Sequence, residues 1–333
     1  MTITVGVFGA GRIGQLHVNN MENDKNTRVK TINEPYPEKI REWFEGTSVE
    51  NLTTNENEIF LDEEIDAIFI CSPTDTHLRL IEKAVEHGKH VFCEKPISFN
   101  QEETERLHQL LQNSEIKVQL GFNRRFDANF SYIKRAIKSK KIGNPQIIKI
   151  TSRDPMPPSL DYVKVSGGLF FDMTIHDFDM ARFLAGSEVE EIYAQGKALI
   201  TPEIEKYDDI DTAIITLKFK NGVLGVIDNS RQAVYGYDQR VEVFGEEGQL
   251  LADNETPNRV KTYTSEVVSE EKPLNFFLER YNNAFKLEVE KFFNAIENDL
   301  EVHPSYEDGM KAQQMAIAAK ESLSKNKPVK IKD

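Results

Sequence analysis

Asp172 and His176 stand four residues apart in SGGLFFDMTIHDFDMARFL, the stretch from Ser166 to Leu184. At helical spacing two such residues share one face. The apolar positions Ile175, Phe178, Phe183 and Leu184 recur at the same spacing. An acid and an imidazole set against core residues are equipped for proton transfer. The pair could also be purely structural, with Asp172 capping the helix and His176 satisfied inside a core. Two more acids, Asp177 and Asp179, follow on the segment, and the glycine pair Gly167-Gly168 precedes it.

A second group of residues is suited to holding a phosphate. Gly9-Ala10-Gly11-Arg12-Ile13-Gly14 follows the apolar run from Ile3 to Phe8 and opens a helix to about Asn20. Gly9 allows the tight turn, Gly11 lets a pyrophosphate approach the backbone, and Gly14 lets helix and strand pack closely. Free N–H groups and the dipole at the helix start favour the anion. A further strand, Val29 to Ile32, ends at Glu34, 20 residues beyond Gly14. That is where a ribose-binding acid is expected. A carboxylate there accepts from both ribose hydroxyls and repels a 2′-phosphate, and no arginine adjoins it, so NAD is expected rather than NADP.

The elements that would position these groups alternate in the first half. Strands are expected at Ile65 to Cys71, Lys89 to Cys93 and Lys117 to Gly121. Helices are expected at Glu38 to Glu45, Thr74 to Gly88 and Gln101 to Asn113. This α/β alternation predicts a doubly wound parallel sheet over residues 1–123. Ligands in such sheets bind beyond the carboxyl ends of the strands. Ser72, Pro73, Thr74 and His77 follow one strand, Glu94-Lys95-Pro96 the next, and Asn123 the last. Lys95 is the amine placed to act there, since partial burial makes a lysine a usable proton donor or acceptor. A surface lysine is its ordinary alternative.

Residues 124–333 read as an α+β domain with a mainly antiparallel sheet. A helix is expected at Phe130 to Ser139 and a strand at Gln146 to Thr151. Six more strands are expected between Glu191 and Thr264, with Asn221-Gly222 as a two-residue hairpin signal. A long helix is expected over Asn275 to Asn298, its aromatic stripe reading as core. A last helix is expected over Tyr306 to Lys325 and a short strand at Pro328 to Ile331.

The chain has 333 residues, 41 basic and 55 acidic, for a net charge of −14. That excess of acid argues against nucleic acid and anionic membrane as partners. Cys71 and Cys93 offer no disulfide framework and fit a reducing cytoplasm. No signal peptide is expected at the start, and no run reaches the roughly 18 apolar residues of a membrane span. No His/Cys/Asp/Glu set has convincing ligand spacing, so no metal is expected.

Together these motifs resemble the glucose–fructose oxidoreductase / inositol dehydrogenase / rhizopine-catabolism family. The resemblance is carried by the Gly9-x-Gly11-x-x-Gly14 turn, Cys93-Glu94-Lys95-Pro96, Gly121 through Asp127, and Gly167-Gly168 through Asp172-x-x-x-His176-Asp177. Ser152 to Pro158 and Tyr235 to Asp238 resemble segments of its inositol branch. The resemblance implies a Rossmann domain for the cofactor, a second domain with a large open sheet, and a homotetramer. It implies Lys95, Asp172 and His176 as catalytic residues, and places Asn123, Arg125, Asp154 and Tyr235 near nicotinamide or substrate.

The implied reaction is NAD-dependent oxidation of a secondary hydroxyl on a cyclic polyol, myo-inositol at its axial hydroxyl being the expected substrate. His176 would take the hydroxyl proton, Asp172 would orient the imidazole, and Lys95 would hydrogen-bond the reacting oxygen. Folding would thus bring an amine of one half to an imidazole and a carboxylate of the other. The alternatives are another polyol or sugar, such as scyllo-inositol or glucose, or a non-catalytic NAD-sensing regulator on the same fold.

Overall fold

The computed structural model of the protein describes residues 2–331. The chain divides into two compact units. The first takes Met1–Asn123 together with Asn283–Gln313, and the second takes Arg124–Asn282 together with Gln314–Asp333.

The first unit is built on six parallel strands: β1 (Ile3–Phe8), β2 (Thr27–Asn33), β3 (Asn51–Thr53), β4 (Ala67–Ile70), β5 (His90–Cys93) and β6 (Val118–Leu120). Their order is β3-β2-β1-β4-β5-β6. Every residue of β1 and β4 is buried, and apart from Thr4 and Gly6 of β1 both runs are apolar. The order reverses between β1 and β4, so the loops after them open at the switch point of the sheet. Helices Arg12–Glu22, His77–Glu86 and Gln101–Leu111 connect the strands. Thr74–Thr76 forms a separate 3-10 turn before the second of these helices.

The aromatic stripe of the late helix completes this unit's core. Phe69 and Phe92 stack with centroids 4.7 Å apart, and Phe292 and Phe293 each lie 5.8 Å from Phe69. Phe292 is wholly buried with Val289 beside it. Burying such a ring stabilises by roughly 1.5–3 kcal/mol, enough to tie residues far along the chain to the first sheet. The expected helix over 275–298 is in fact two, Phe277–Arg280 and Asn282–Glu297. At the break Tyr281 turns into the second unit's core, 2% exposed, and Arg280 pairs with Asp127 at 2.5 Å. Helical spacing in a sequence does not register such a break.

The second unit holds a seven-stranded sheet of β7 (Pro145–Arg153), β8 (Val189–Lys197), β9 (Thr212–Phe219), β10 (Leu224–Ser230), β11 (Asp238–Gly245), β12 (Gly248–Ala252) and β15 (Val329–Lys330). The order is β12-β11-β7-β10-β9-β8-β15. Only β7 and β10 pair in parallel. A separate hairpin joins β13 (Lys261–Tyr263) to β14 (Val268–Glu270). Helix Ile175–Ala185 packs on β7 and on helix Ala128–Lys138. On the opposite face Phe244, Ile147 and Leu224 are cross-strand neighbours in one row, each 44–53% exposed.

The Asn221-Gly222 turn joins β9 to β10 as expected, but with three residues rather than two. Phe219 N–H donates to Val223 O at 3.0 Å, so Lys220, Asn221 and Gly222 form the loop. Gly222 has φ +90°, the left-handed position that a three-residue hairpin needs.

Candidate active site

The first unit provides the nucleotide cradle. Gly9 has φ +86°, and a Cβ there would stand 2.8 Å from Ser72 backbone. A Cβ on Gly14 would stand 2.1 Å from Gly9 O, so only glycine lets the helix start beneath this loop. Gly11 faces open space, which leaves its backbone approachable. The first turn of helix Arg12–Glu22 carries no acid, and Gly11 supplies no side-chain cap. The loop therefore presents unshielded N–H groups to an anion. Arg12 is exposed and Ile13 half-buried in that turn. Glu34 closes the cradle: its carboxylate accepts Ala10 N–H at 2.9 Å and Tyr36 N–H at 3.3 Å. These features fit a dinucleotide.

The loops after β4 and β5 are fastened to each other. Buried His77 places Nδ1 2.8 Å from Pro96 O and Nε2 2.9 Å from Ser72 O. Burial pushes this imidazole down, and the two carbonyls oppose that. Pro73 is exposed beside Ser72, and Lys95 precedes a cis proline in the loop that His77 holds. Glu94 points inward: its Oε1 lies 3.0 Å from His17 Nε2, and a Cβ on Gly121 would meet its carboxylate at 2.9 Å. Glu288 is wholly buried, and burial, then the nearby Glu94 charge, push its carboxyl far above the carboxylate range. Asn123 is buried after β6.

The second unit holds the acid–imidazole pair. Asp172 does not sit on a regular helix with His176. A π-helical turn, Phe170–Thr174, precedes helix Ile175–Ala185. Such turns recur at functional sites. Gly167 and Gly168 adopt φ +79° and +83° before it, and a Cβ on Gly168 would meet Asp209 Oδ1 at 2.7 Å. Asp209 accepts Leu169 N–H at 2.8 Å and so anchors the start of the turn. Across residues 171–181 only Asp172 and His176 are not buried. The wider stretch is core, and these two side chains are the ones it offers to solvent.

A charged cluster surrounds Asp172. Arg231 Nη1 donates to Asp172 Oδ2 at 2.8 Å and to Asp154 Oδ2 at 3.4 Å. The Tyr162 hydroxyl donates to Asp172 Oδ1 at 2.8 Å. Burial pushes Asp154 up to about 6; Arg231 opposes this and the Asp172 charge adds to it. Asp177 serves a different purpose. It is wholly buried, receives Arg124 Nη1 at 2.5 Å and Asn229 Nδ2 at 2.9 Å, and holds the helix to the sheet.

Asp154 and Asp172 thus come together, whereas two other expected substrate residues are engaged elsewhere. Arg125 forms a two-point pair with Asp179, at 2.8 and 2.5 Å, over the Phe183 ring. The Tyr235 hydroxyl donates to Asp238 at 2.6 Å and accepts from Arg153 at 3.1 Å. Arg231 and Tyr162 carry no signal in the sequence, because a lone arginine after a strand and a tyrosine on a four-residue helix have no diagnostic spacing. No group of three or more His, Cys, Asp or Glu fit to hold a metal occurs among the described residues.

A glycine-cradled parallel sheet and a second unit presenting an acid–imidazole pair define a dinucleotide-dependent α/β enzyme. Residues 3–122 match the oxidoreductase family with the NAD-binding Rossmann fold, and residues 130–251 match the GFO/IDH/MocA C-terminal domain. The chain belongs to the GFO/IDH/MocA family of NAD-dependent oxidoreductases.

Three relatives show how close the likeness runs. An uncharacterized oxidoreductase of Bacillus subtilis is 48% identical, covering 99% of this chain and 96% of its own. A myo-inositol 2-dehydrogenase of Thermotoga maritima is 43% identical over 99% of this chain and 98% of its own. The crystal structure of scyllo-inositol dehydrogenase from Lactobacillus casei, with bound NAD(H) and scyllo-inositol, superposes with a TM-score of 0.92. It is 32% identical and covers 99% of both chains.

Proposed function

We propose that the protein oxidises a secondary hydroxyl of a cyclic polyol with NAD, and that its substrate is myo-inositol, giving 2-keto-myo-inositol. One observation carries the reading: Asp172 and His176 are the part-exposed residues of an otherwise buried stretch. The relatives that bear inositol dehydrogenase names direct the choice of substrate.

Bound NAD supplies the hydride acceptor. His176 takes the hydroxyl proton as the carbon–hydrogen bond breaks, and Asp172 stabilises the imidazolium that results. Lys95 donates a hydrogen bond to the reacting oxygen. Asp154 accepts from a neighbouring hydroxyl of the ring. General acid–base help of this kind contributes about 10²–10⁴-fold. Gly9, Gly11, Arg12, Ile13 and Gly14 hold the pyrophosphate, Glu34 the adenosine ribose, and Ser72, Pro73, His77, Glu94 and Asn123 line the way to the nicotinamide. Arg125, fixed by its ion pair with Asp179, and Tyr235, fixed by hydrogen bonds with Asp238 and Arg153, border the substrate.

The uncovered row Phe244–Ile147–Leu224 supports assembly through this sheet face, and we propose a homotetramer. The two free cysteines support a cytoplasmic location. The reaction is tested by mixing the protein with NAD⁺ and a panel of inositols and sugars and following reduced nicotinamide. Reduction with myo-inositol ahead of scyllo-inositol and glucose is expected. Tight NAD⁺ binding without turnover of any polyol would replace this reading with that of a sensor.

A further inference from the structure

Arg231 directly follows β10 and is 4% exposed. Its N–H donates to Asp211 O at 2.8 Å, and the Asp211 carboxylate accepts N–H groups of Leu199, Ile200 and Thr201, each at 2.8 Å. The arginine therefore starts from an anchored backbone. Its Nη1 then faces two carboxylates from separate segments, Asp172 at 2.8 Å and Asp154 at 3.4 Å.

We propose that Arg231 is the positioning residue of this site, holding Asp172 charged and in place, apart from Asp154, so that Asp172 can serve His176. This role rests on the polyol-dehydrogenase reading above. Two carboxylates confined together do not both stay ionised unless a cation offsets them. Without the guanidinium a proton settles on the pair. A protonated Asp172 no longer offers an anion to stabilise protonated His176. Asp154 is pushed up to about 6 first by burial, with Arg231 opposing this and the Asp172 charge adding to it.

The titratable and charged groups facing Asp172 come from several elements. They are Arg231 after β10, Asp154 after β7, Tyr162 on the short helix Leu160–Val163 and Asp209 ahead of β9, while His176 follows four residues on along its own segment. Arg124 acts on Asp154 as a weaker second cation. Arg231 is the cation in hydrogen-bond contact with both acids.

The test uses the purified full chain with NAD⁺ and myo-inositol, and reads kcat/KM against pH. Arg231→Met should lower kcat/KM at neutral pH by on the order of 10²-fold. It should also move the acidic limb of the profile up by about one pH unit or more, with NAD⁺ affinity unchanged. Arg231→Lys keeps the charge and should restore the limb in part. Should Arg231→Met not fold, Arg231→Gln keeps a donor without the charge and should show the same limb shift. A limb that stays at the wild-type pH in the neutral variants, or a Lys variant no better than Gln, would overturn the role and leave Arg231 as packing alone.

A readout free of turnover separates this from the functional reading. Infrared bands of protonated carboxyls can be assigned by their loss in Asp154→Asn and Asp172→Asn. In wild type the Asp154 band should titrate near pH 6. In the neutral Arg231 variants an Asp172 band should persist to higher pH. Absence of any such change overturns the role even if polyols are oxidised. If wild type turns over no polyol, the substrate reading falls while the infrared arm still decides Arg231.

Discussion

The two units hold their polar partners by opposite means. The first does so with backbone: a loop whose side chains are missing at Gly9, Gly11 and Gly14, ahead of a helix start. The second does so with buried side-chain charge: Arg231 between Asp154 and Asp172, and Arg124 on Asp177. A backbone cradle needs residues adjacent in sequence and little else. A charge cluster needs residues from four or five segments, each desolvated and each dependent on the others. The first unit should therefore fail locally when altered, and the second as a network.

The largest expected effect separates binding from chemistry. His176→Ala should lower kcat/KM by about 10²–10⁴-fold while the NAD⁺ dissociation constant, followed by fluorescence titration, stays put. An equal loss in both would break the division of labour between the units. Next comes the buried pair. Arg124→Met leaves Asp177, wholly buried, without its cation, and should cost about 3–5 kcal/mol in urea unfolding. A neutral result would mean that Asp177 is protonated in the fold, a direction in which burial already pushes it.

Within the cradle, two glycine substitutions sharpen the contrast. Gly14→Ala must displace Gly9 O, 2.1 Å from the new Cβ, at about 1–3 kcal/mol of stability. Gly11→Ala meets nothing, and Gly11 has φ −68°, so stability should change by less than about 0.5 kcal/mol while NAD⁺ binding weakens. Equal effects on stability from the two would show that Gly11 is structural.

A further expected effect is a pH dependence. Asp154 has its folded value raised to about 6 from 3.8. The folded state holds a proton there that the unfolded chain gives up earlier, so its contribution is full below about pH 4 and is lost as pH rises through 6. Asp154→Asn should thus gain melting temperature over wild type above pH 6, and the gain should vanish near pH 4. A gain independent of pH would place the effect in packing.

The parallel sheet was legible because fully buried strands are apolar throughout and glycines punctuate their ends. The spacing of Asp172 and His176 pointed to one regular helix, whereas Asp172 lies on a π turn and His176 on the helix after it, since one inserted residue in a helix leaves no compositional trace. The break at Tyr281 was hidden for a related reason. Its cause lies in Arg280 meeting Asp127 and in Tyr281 entering the second unit's core, contacts between distant segments. The same holds for residues 283–313, whose aromatic stripe reads as core without saying which sheet it covers.

By itself, the sequence determined the nucleotide cradle and the alternation of strands and helices, and it singled out Asp172 and His176, because each depends on neighbours along the chain. Only the tertiary structure decided what surrounds that pair. Arg231, Tyr162 and Asp154 converge on Asp172 from separate elements, and the strength of their interactions depends on desolvation and distances that exist only after folding.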